Sequence, residues 1–285
     1  MMIVDYDKDD LLGEGVESYV FKGTFAGDEV AVKRMEKKFG QKKANEEKDF
    51  QTREEKAMKQ FNHPNVLKLL EVQEDENFKY LILEHCLGTL LDYIKGKYTD
   101  QMPTEIDGMI QMASGLQYIH DQKFVHRDIK PANVLISKSH VLKVSDFGHC
   151  REVTESGSFS MSSGEKGTRK YNSPEYLHLE EEKNIEERKK IRANVSTDIF
   201  SLGCVFFSYI TKGGHPFAGG KNSEHTTVAN IYEGKKSMDN VDSGLARDHY
   251  AFSMIDGMTK VGANDRWSLD KVLETLNNQK LKFSE

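Results

Sequence analysis

His126-Arg127-Asp128-Ile129-Lys130-Pro131-Ala132-Asn133 is the stretch that decides the fold of this 285-residue chain. It places a carboxylate, an ammonium and a carboxamide on one short polar segment. Asp128 can accept the proton of an attacking hydroxyl. Lys130 can neutralise charge on a phosphoryl group in transfer. Asn133 offers an amide oxygen to a hard cation such as Mg²⁺. Asp146-Phe147-Gly148 follows, behind the β-like run Val141 to Val144, and Asp146 supplies a second hard oxygen ligand. Either segment alone is compatible with chance. Both in this order are not.

Further toward the N-terminus, Val30-Ala31-Val32-Lys33 sets a lysine on a β-like run. An ammonium there can pair with the α- and β-phosphates of a nucleotide, provided a carboxylate holds it. Residues 36 to 60 are charged and helix-permissive, reading as a solvated loop that runs into a helix. Glu54 is the candidate, because of its distance from His63-Pro64-Asn65. Glu55 would point roughly 100° away around the helix. Gly13-Glu14-Gly15-Val16-Glu17-Ser18 precedes both, and its glycines let backbone amides approach phosphate oxygens closely. Ser18 stands where a third glycine would complete the pattern, so by itself this segment reads as a turn.

The organisation is β first and α after. Tyr19 to Phe21 and Glu29 to Val32 predict strands around the turn Ala26-Gly27-Asp28, and Val66 to Val72 and Phe78 to Leu83 predict two more. Five strands and one helix are expected before a boundary near Glu84 to Gly88. Residues 104 to 120 carry apolar positions at helical spacing: Ile106, Met109, Ile110, Ala113, Leu116 and Ile119. Ile199 to Ile210 is apolar almost all round, as in a buried central helix. Ser268 to Leu276 predicts a last helix. Thr154 to Gly167, rich in Ser and Gly, reads as a mobile loop. The charge run Leu179 to Arg192 reads as a solvated helix or loop.

Composition narrows the class. Hydrophobic residues are 37% of the chain, enough for a core at this length. The net charge of -6 lacks the basic excess of a nucleic-acid binder. Cys86, Cys150 and Cys204 lie far apart, with neither a disulfide nor a zinc spacing, and read as buried thiols in a reducing compartment. The acidic N-terminus is not a signal peptide, and the Ile199 to Ile210 stretch is too short to span a bilayer. His63, His85, His126 and His149 read as packing or solvent histidines.

These motifs together resemble the eukaryotic protein kinases, over essentially the whole chain. The resemblance implies an α+β, two-lobed fold. A small β-rich N-lobe spans 1–86, with a five-stranded sheet and one regulatory helix. A larger α-helical C-lobe spans 87–285, with an activation segment at 146–175. ATP and Mg²⁺ are the implied cofactors, and protein Ser/Thr hydroxyls the acceptors. Asp128, Lys130, Lys33 and Glu54 would be catalytic, and Asn133 and Asp146 would hold metal. Leu12, Gly13, Gly15, Val20, Ala31, Lys33, Glu84, Cys86 and Leu135 would bind ATP. Of these, Val20, Ala31 and Leu135 would sandwich the adenine beside a gatekeeper at Leu83, and Glu84 and Cys86 would hydrogen-bond it through the hinge backbone. Met58, Leu69, His126 and Phe147 would stack as a regulatory spine anchored by Asp198. Lys130, two residues after Asp128, is similar to the serine/threonine class, and Thr168 would meet both from the substrate side. Ser173-Pro174-Glu175 replaces the usual Ala-Pro-Glu, with Glu175 paired structurally to Arg266.

Within that family the chain resembles the inositol-requiring kinase/endoribonuclease branch, the unfolded-protein sensors of the endoplasmic reticulum. Ser158-Phe159-Ser160-Met161-Ser162-Ser163-Gly164, Asp146-Phe147-Gly148-His149-Cys150, Asp198 to Phe206 and Gly214-His215-Pro216-Phe217 carry the likeness. That branch continues into a nuclease. This sequence ends at Glu285, about one helix past Arg266, so neither ribonuclease activity nor a nucleic-acid partner is expected of it. Ser158, Ser160 and Ser163 are candidate phosphosites, with Arg127 expected to pair with the loop phosphate. A homodimer would serve trans-autophosphorylation. A cytoplasmic location is expected, or the cytosolic face of the endoplasmic reticulum if the chain is part of a longer membrane protein. The competing reading is a nucleotide-responsive dimerisation module, in which ATP occupancy rather than turnover carries the signal. Intact Lys33, Glu54, Asp128, Asn133 and Asp146 favour turnover.

Overall fold

A two-residue turn starts the sheet. Ala26 and Gly27 both take positive φ, 53° and 90°, which is the backbone a tight hairpin needs to match strand twist. The hairpin joins β2 (Ser18–Phe25) to β3 (Asp28–Glu36). β1 (Asp5–Glu14), β4 (Leu69–Glu74) and β5 (Phe78–Glu84) complete an antiparallel sheet of order β1-β2-β3-β5-β4. The computed structural model describes residues 4–15, 18–37, 53–154, 158–160, 168–181, 184, 192–219, 223–238 and 249–284. The charged segment expected as a loop at 38–52 lies outside these.

Period-two alternation sorts β3 between two cores. Val30 and Val32 face a small cluster with Val4, Tyr80 and Ile82. Ala31 and Met35 face the main core, in which helix α1 (residues 53–60) buries Ala57 and Met58. Lys33 shares that inner face, which is why a strand lysine ends up beside a helix carboxylate.

After β5 the chain forms β6 (Cys86–Thr89), α2 (Leu90–Ile94) and α3 (Glu105–Asp121). β7 (Phe124–Val125), β8 (Val134–Ser137) and β9 (Leu142–Val144) follow. β6, β8 and β9 make a three-stranded antiparallel sheet. Beyond it lie β10 (Arg151–Glu152), β11 (Ser158–Ser160), α4 (Pro174–Glu181) and β12 (Arg192–Asn194). The helices α5 (Ser196–Ile210), α6 (Glu224–Glu233), α7 (Tyr250–Met258) and α8 (Leu269–Ser284) close the chain. From Thr197 to Ile210 every residue of α5 is buried. Its Ser, Gly and Cys positions let neighbours approach: a Cβ at Gly203 would meet the Thr259 side chain at 2.8 Å. This helix is the axis around which α3, α7 and the site-bearing loops assemble.

Four expectations change. Val66 forms an isolated bridge to Val144, and the strand begins only at Leu69. Leu179, read as the start of a solvated run, is fully buried at the end of α4, where it meets Val125 and Tyr176. The last helix runs to Ser284 rather than Leu276. Its final turns carry Leu281 and Phe283 exposed, so no apolar periodicity marked them. Cys86 is only half-buried, unlike Cys150 and Cys204.

Candidate functional site

The β8–β9 hairpin sets the geometry. Asn133 immediately precedes β8, and Asp146 follows β9 by two residues, so antiparallel pairing returns both to one end. The join is tied by Ser145, whose amide and Oγ both donate to the Asn133 carbonyl, at 2.9 and 3.0 Å. Asn133 Nδ2 donates to the Asp128 backbone carbonyl (2.9 Å) and to Asp128 Oδ2 (2.8 Å). Its Oδ1 is thereby left as the acceptor for a cation. Lys130 Nζ donates to the same Asp128 oxygen at 2.7 Å. Thr168 starts the turn Arg169–Tyr171, and no hydrogen bond joins it to Asp128 or Lys130.

Asp146 is in the left-handed region at φ 64°, as is Arg127 at φ 72°. Such backbone costs about 1–3 kcal/mol per residue and persists only where surroundings fix it. For Arg127 the fixing group is Asp198 on α5. Its carboxylate accepts the His126 and Arg127 amides, both at 2.8 Å, and bonds His120 Nε2 at 2.8 Å. Burial opposes the Asp198 charge, but His120 and these donors hold its carboxyl below the usual range. His126 Nε2 bonds the Ser145 carbonyl at 2.9 Å, and burial lowers the His126 pKa, keeping the ring neutral. The His126 and Phe147 rings stand edge-on at 5.4 Å. Met58 and Phe147 belong to the main core, and Leu69 packs against it partly buried.

Lys33 connects the sheet to this centre. Its Nζ lies 2.6 Å from Glu54 Oε1 and 3.4 Å from Asp146 Oδ1. Glu55 instead pairs with Lys59 and Lys79 on the outer side of α1, each at 2.6 Å. Burial pushes the Lys33 pKa down, but Glu54 and Asp146 outweigh it and hold the ammonium above its ordinary value. Burial raises the Glu54 carboxyl against the pull of Lys33. At Asp146 burial also favours the neutral form, yet the Lys33 ammonium above all, with Lys130 beside it, brings the pKa down to about 2. The Asp146 side chain is 39% exposed, so an ionised carboxylate is open to a ligand here.

The sheet register places the residues expected to face a nucleotide. Val20 pairs with Lys33, and Ala31 with Leu83, which is buried. Leu12 is 44% exposed on β1. The Gly15 amide donates to the Ser18 carbonyl at 2.8 Å, and a Cβ at Gly15 would fall 2.8 Å from Ser18 Oγ. A side chain at 15 would therefore require the Ser18 hydroxyl to rotate aside. Glu84 turns its carboxylate to Lys143 (2.9 Å) and the Lys68 amide (2.8 Å), and burial pushes the Cys86 thiol up to about 12. Arg266, fully buried, clasps Glu175 through two bonds of 2.7 Å, far from the reacting groups.

In the unmodified chain the Arg127 guanidinium carbon lies 5.6 Å from the ring centroids of both Phe159 and Tyr176, and Nη2 donates to Tyr176 Oη at 2.9 Å. The loop expected to be mobile includes β11, which pairs with β12 and buries Phe159. A lone aromatic in a Ser-rich run gave only a faint signal of this. His120 was likewise invisible as the partner of Asp198, because 78 residues separate them. Residues 155–157 and 161–167, including candidate Ser163, lie outside the described residues.

The protein kinase domain family matches residues 6–276, and the chain belongs to that family. Its class is the serine/threonine protein kinases. It is similar to the serine/threonine-protein kinase/endoribonuclease ire-1 of Caenorhabditis elegans, 36% identical over 94% of this chain and 26% of that protein. It is similar to the serine/threonine-protein kinase/endoribonuclease IRE2 of Homo sapiens, 33% identical over 75% of this chain and 22% of that protein. The sensor for unfolded proteins in the ER ire1 of Schizosaccharomyces pombe is 29% identical over 89% of this chain and 25% of that protein. The chain spans about a quarter of the length of these curated relatives, in each case the kinase portion. Among the described residues no helix is long and apolar enough to cross a membrane.

Proposed function

We propose that this chain moves the γ-phosphoryl group of ATP to protein serine and threonine hydroxyls through the centre around Asp128, and that another copy of itself is its first acceptor. The observation that carries the reading is the convergence of Lys33, Glu54 and Asp146 in one ion-paired group beside the Asp128–Lys130–Asn133 cluster. Asp128 takes the acceptor hydroxyl's proton. Lys130, already on Asp128 Oδ2, offsets charge on the transferred group. Glu54 aims Lys33 at the α- and β-phosphates. Val20, Ala31 and Leu135 enclose the adenine, with hydrogen bonds from the 84–86 backbone. Thr168 orients the acceptor. These roles fit lobes meeting near residues 86 and 87.

Members of this family generally use ATP with Mg²⁺. The residues fit the ion: Asp146 is held ionised and Asn133 Oδ1 is free of the amide's own bonds. Two protein ligands plus phosphate oxygens is the usual Mg²⁺ set. Bound there, Mg²⁺ would neutralise phosphate charge.

The test is transfer from labelled ATP to the wild-type chain and to Asp128→Asn. Wild type should label itself in a manner that rises with concentration, and mass spectrometry should find phosphate on Ser158, Ser160 or Ser163. Wild-type binding of ATP without any transfer would favour the dimerisation module instead. Likeness to the unfolded-protein sensors supports placing the chain at the cytosolic face of the endoplasmic reticulum.

A further inference from the structure

Two lysines stand near the catalytic loop with no carboxylate partner among the described residues. Lys170 lies two residues past Thr168, half-buried in the turn Arg169–Tyr171, with Nζ 5.4 Å from the Tyr171 ring centroid. Lys212 is exposed just past the end of α5, with Nζ 5.3 Å from the Tyr93 ring centroid. Both segments are anchored to α5. Ser201 Oγ donates to the Tyr171 carbonyl at 2.7 Å. Ser208 Oγ lies 3.5 Å from Tyr171 Oη and donates to the Gly214 carbonyl at 2.8 Å, so one serine joins the two lysine-bearing segments. The Pro131–Asn133 turn of the catalytic loop packs on α5 and on α2, which carries Tyr93. Thr168, both lysines and the catalytic loop are therefore gathered along one helix. The nearby carboxylates are committed elsewhere: Asp92 to the Thr89 amide and hydroxyl, Asp128 to Lys130, and Glu175 to Arg266. In a chain of net charge -6, this surface is a basic exception.

We propose that Lys170 and Lys212 are specificity-determining residues that select acceptors with carboxylates near the phosphorylated hydroxyl. The chain is then a kinase of acidic serine/threonine segments. This inference rests on phosphoryl transfer at Asp128 with Thr168 orienting the acceptor. Two ammonium groups without a partner attract an anionic segment and repel a cationic one, and repulsion sets specificity as much as attraction does. The chain's own serine-rich stretch has the complementary charge. From Glu152 to Glu165 it carries three carboxylates, Glu152, Glu155 and Glu165, and no cation. Glu155 stands three residues before Ser158, and Glu165 two after Ser163. A second copy of the chain thus offers the kind of segment that these lysines select.

The experiment measures initial rates of transfer from Mg-ATP by the full chain to a synthetic peptide of residues 152–165. Two further versions of the peptide have all three glutamates changed to Ala or to Lys. The enzymes are wild type, Lys170→Arg, Lys170→Ala, Lys212→Ala, and the double reversal Lys170→Glu with Lys212→Glu. We expect wild type to favour the native peptide over the alanine peptide by about 3- to 10-fold in kcat/KM, the range that two or three exposed charge pairs supply. The lysine peptide should be poorer still. The difference should lie in the peptide KM rather than in kcat, as for a contact made equally before and during transfer. It should shrink between about 0.05 and 0.5 M salt, because exposed charges are screened. Lys170→Arg keeps the charge and should keep the preference, each alanine variant should lower it about twofold, and the double reversal should favour the lysine peptide. A gain on that peptide cannot come from misfolding, and the alanine variants decide the matter if the double reversal does not fold. Equal use of native and alanine peptides by wild type, or a preference that survives both the alanine variants and the double reversal, overturns the proposal. Transfer without charge preference faults the lysines alone, whereas ATP binding without transfer to any peptide faults the phosphotransfer reading beneath and this one with it.

Discussion

Asp198 and Phe159 hold the same short loop from opposite sides, and they do so by different physics. Asp198 is a buried carboxylate on the central helix that accepts two backbone amides and a histidine. Phe159 is an aromatic ring on a three-residue strand, held by a five-residue cluster and a guanidinium. A buried carboxylate with matched donors has no acceptable alternative, because leaving those amides unpaired is costly. A ring packed in a small cluster has no such fixed set of partners, since apolar burial is non-directional. The first contact is built to be permanent, and the second can be exchanged.

Four measurements break or sharpen that contrast. The largest effect lies at the group both sides serve. Asp128→Asn should reduce transfer by roughly 10³-fold with ATP affinity retained, the usual loss when a general base is removed, read by peptide phosphorylation and nucleotide titration. Next, Asp198→Ala strands two buried amides and His120, so it should cost about 3–5 kcal/mol in urea unfolding, as for a buried polar partner removed from one side. If Asp198→Ala were nearly neutral, the permanent side of the comparison would fail. On the exchangeable side, Leu179→Ala opens a cavity under Phe159 and should cost about 2–3 kcal/mol, the low end for a small cluster that can relax. Hydrogen exchange should show β11 and β12 loosening first while α5 stays protected.

The smallest effect is a pH slope. His215 is buried, and burial with the nearby Lys170 charge lowers its pKa to about 3. His126 is lowered for the same first reason. Both bind protons when unfolded below about 6.5 but not when native, so the unfolded state holds more protons and stability falls as pH drops from about 6.5 toward 3. Asp146 adds to the loss only from about 4 downward, since its pKa is depressed to about 2. His215→Asn should flatten the melting temperature against pH between 6.5 and 4. An unchanged slope would place the proton uptake elsewhere.

The site was legible in sequence to the extent that its chemistry is local. Residues 126–133 and 146–148 carry their roles within single turns, and Asn133 and Asp146 needed only one hairpin to meet. Glu54 over Glu55 was also readable from its distance to His63-Pro64-Asn65, and helical spacing then turns Glu55 away, toward Lys59 and Lys79. The kinase class and two-part α+β order followed from the same motifs and from the change in hydrophobic period. Three things did not follow. The Ser-rich stretch hides one buried ring among polar neighbours, and its partner Ala193 lies 34 residues on from Phe159, at the far edge of a charge run. His120 carries no mark of its bond to Asp198. Leu179 looked like the edge of a solvated segment because a single apolar residue has no period.

What the sequence determined by itself is the inventory: Asp128, Asn133, Asp146, a lysine paired with Glu54 and the glycines at 13 and 15, in an order that one fold explains. What only the tertiary structure decided is which ring packs against Arg127. Such a contact is set by which surface arrives in three dimensions. Phe159 is delivered there by strand pairing between segments that adjoin neither each other nor Arg127 in the chain.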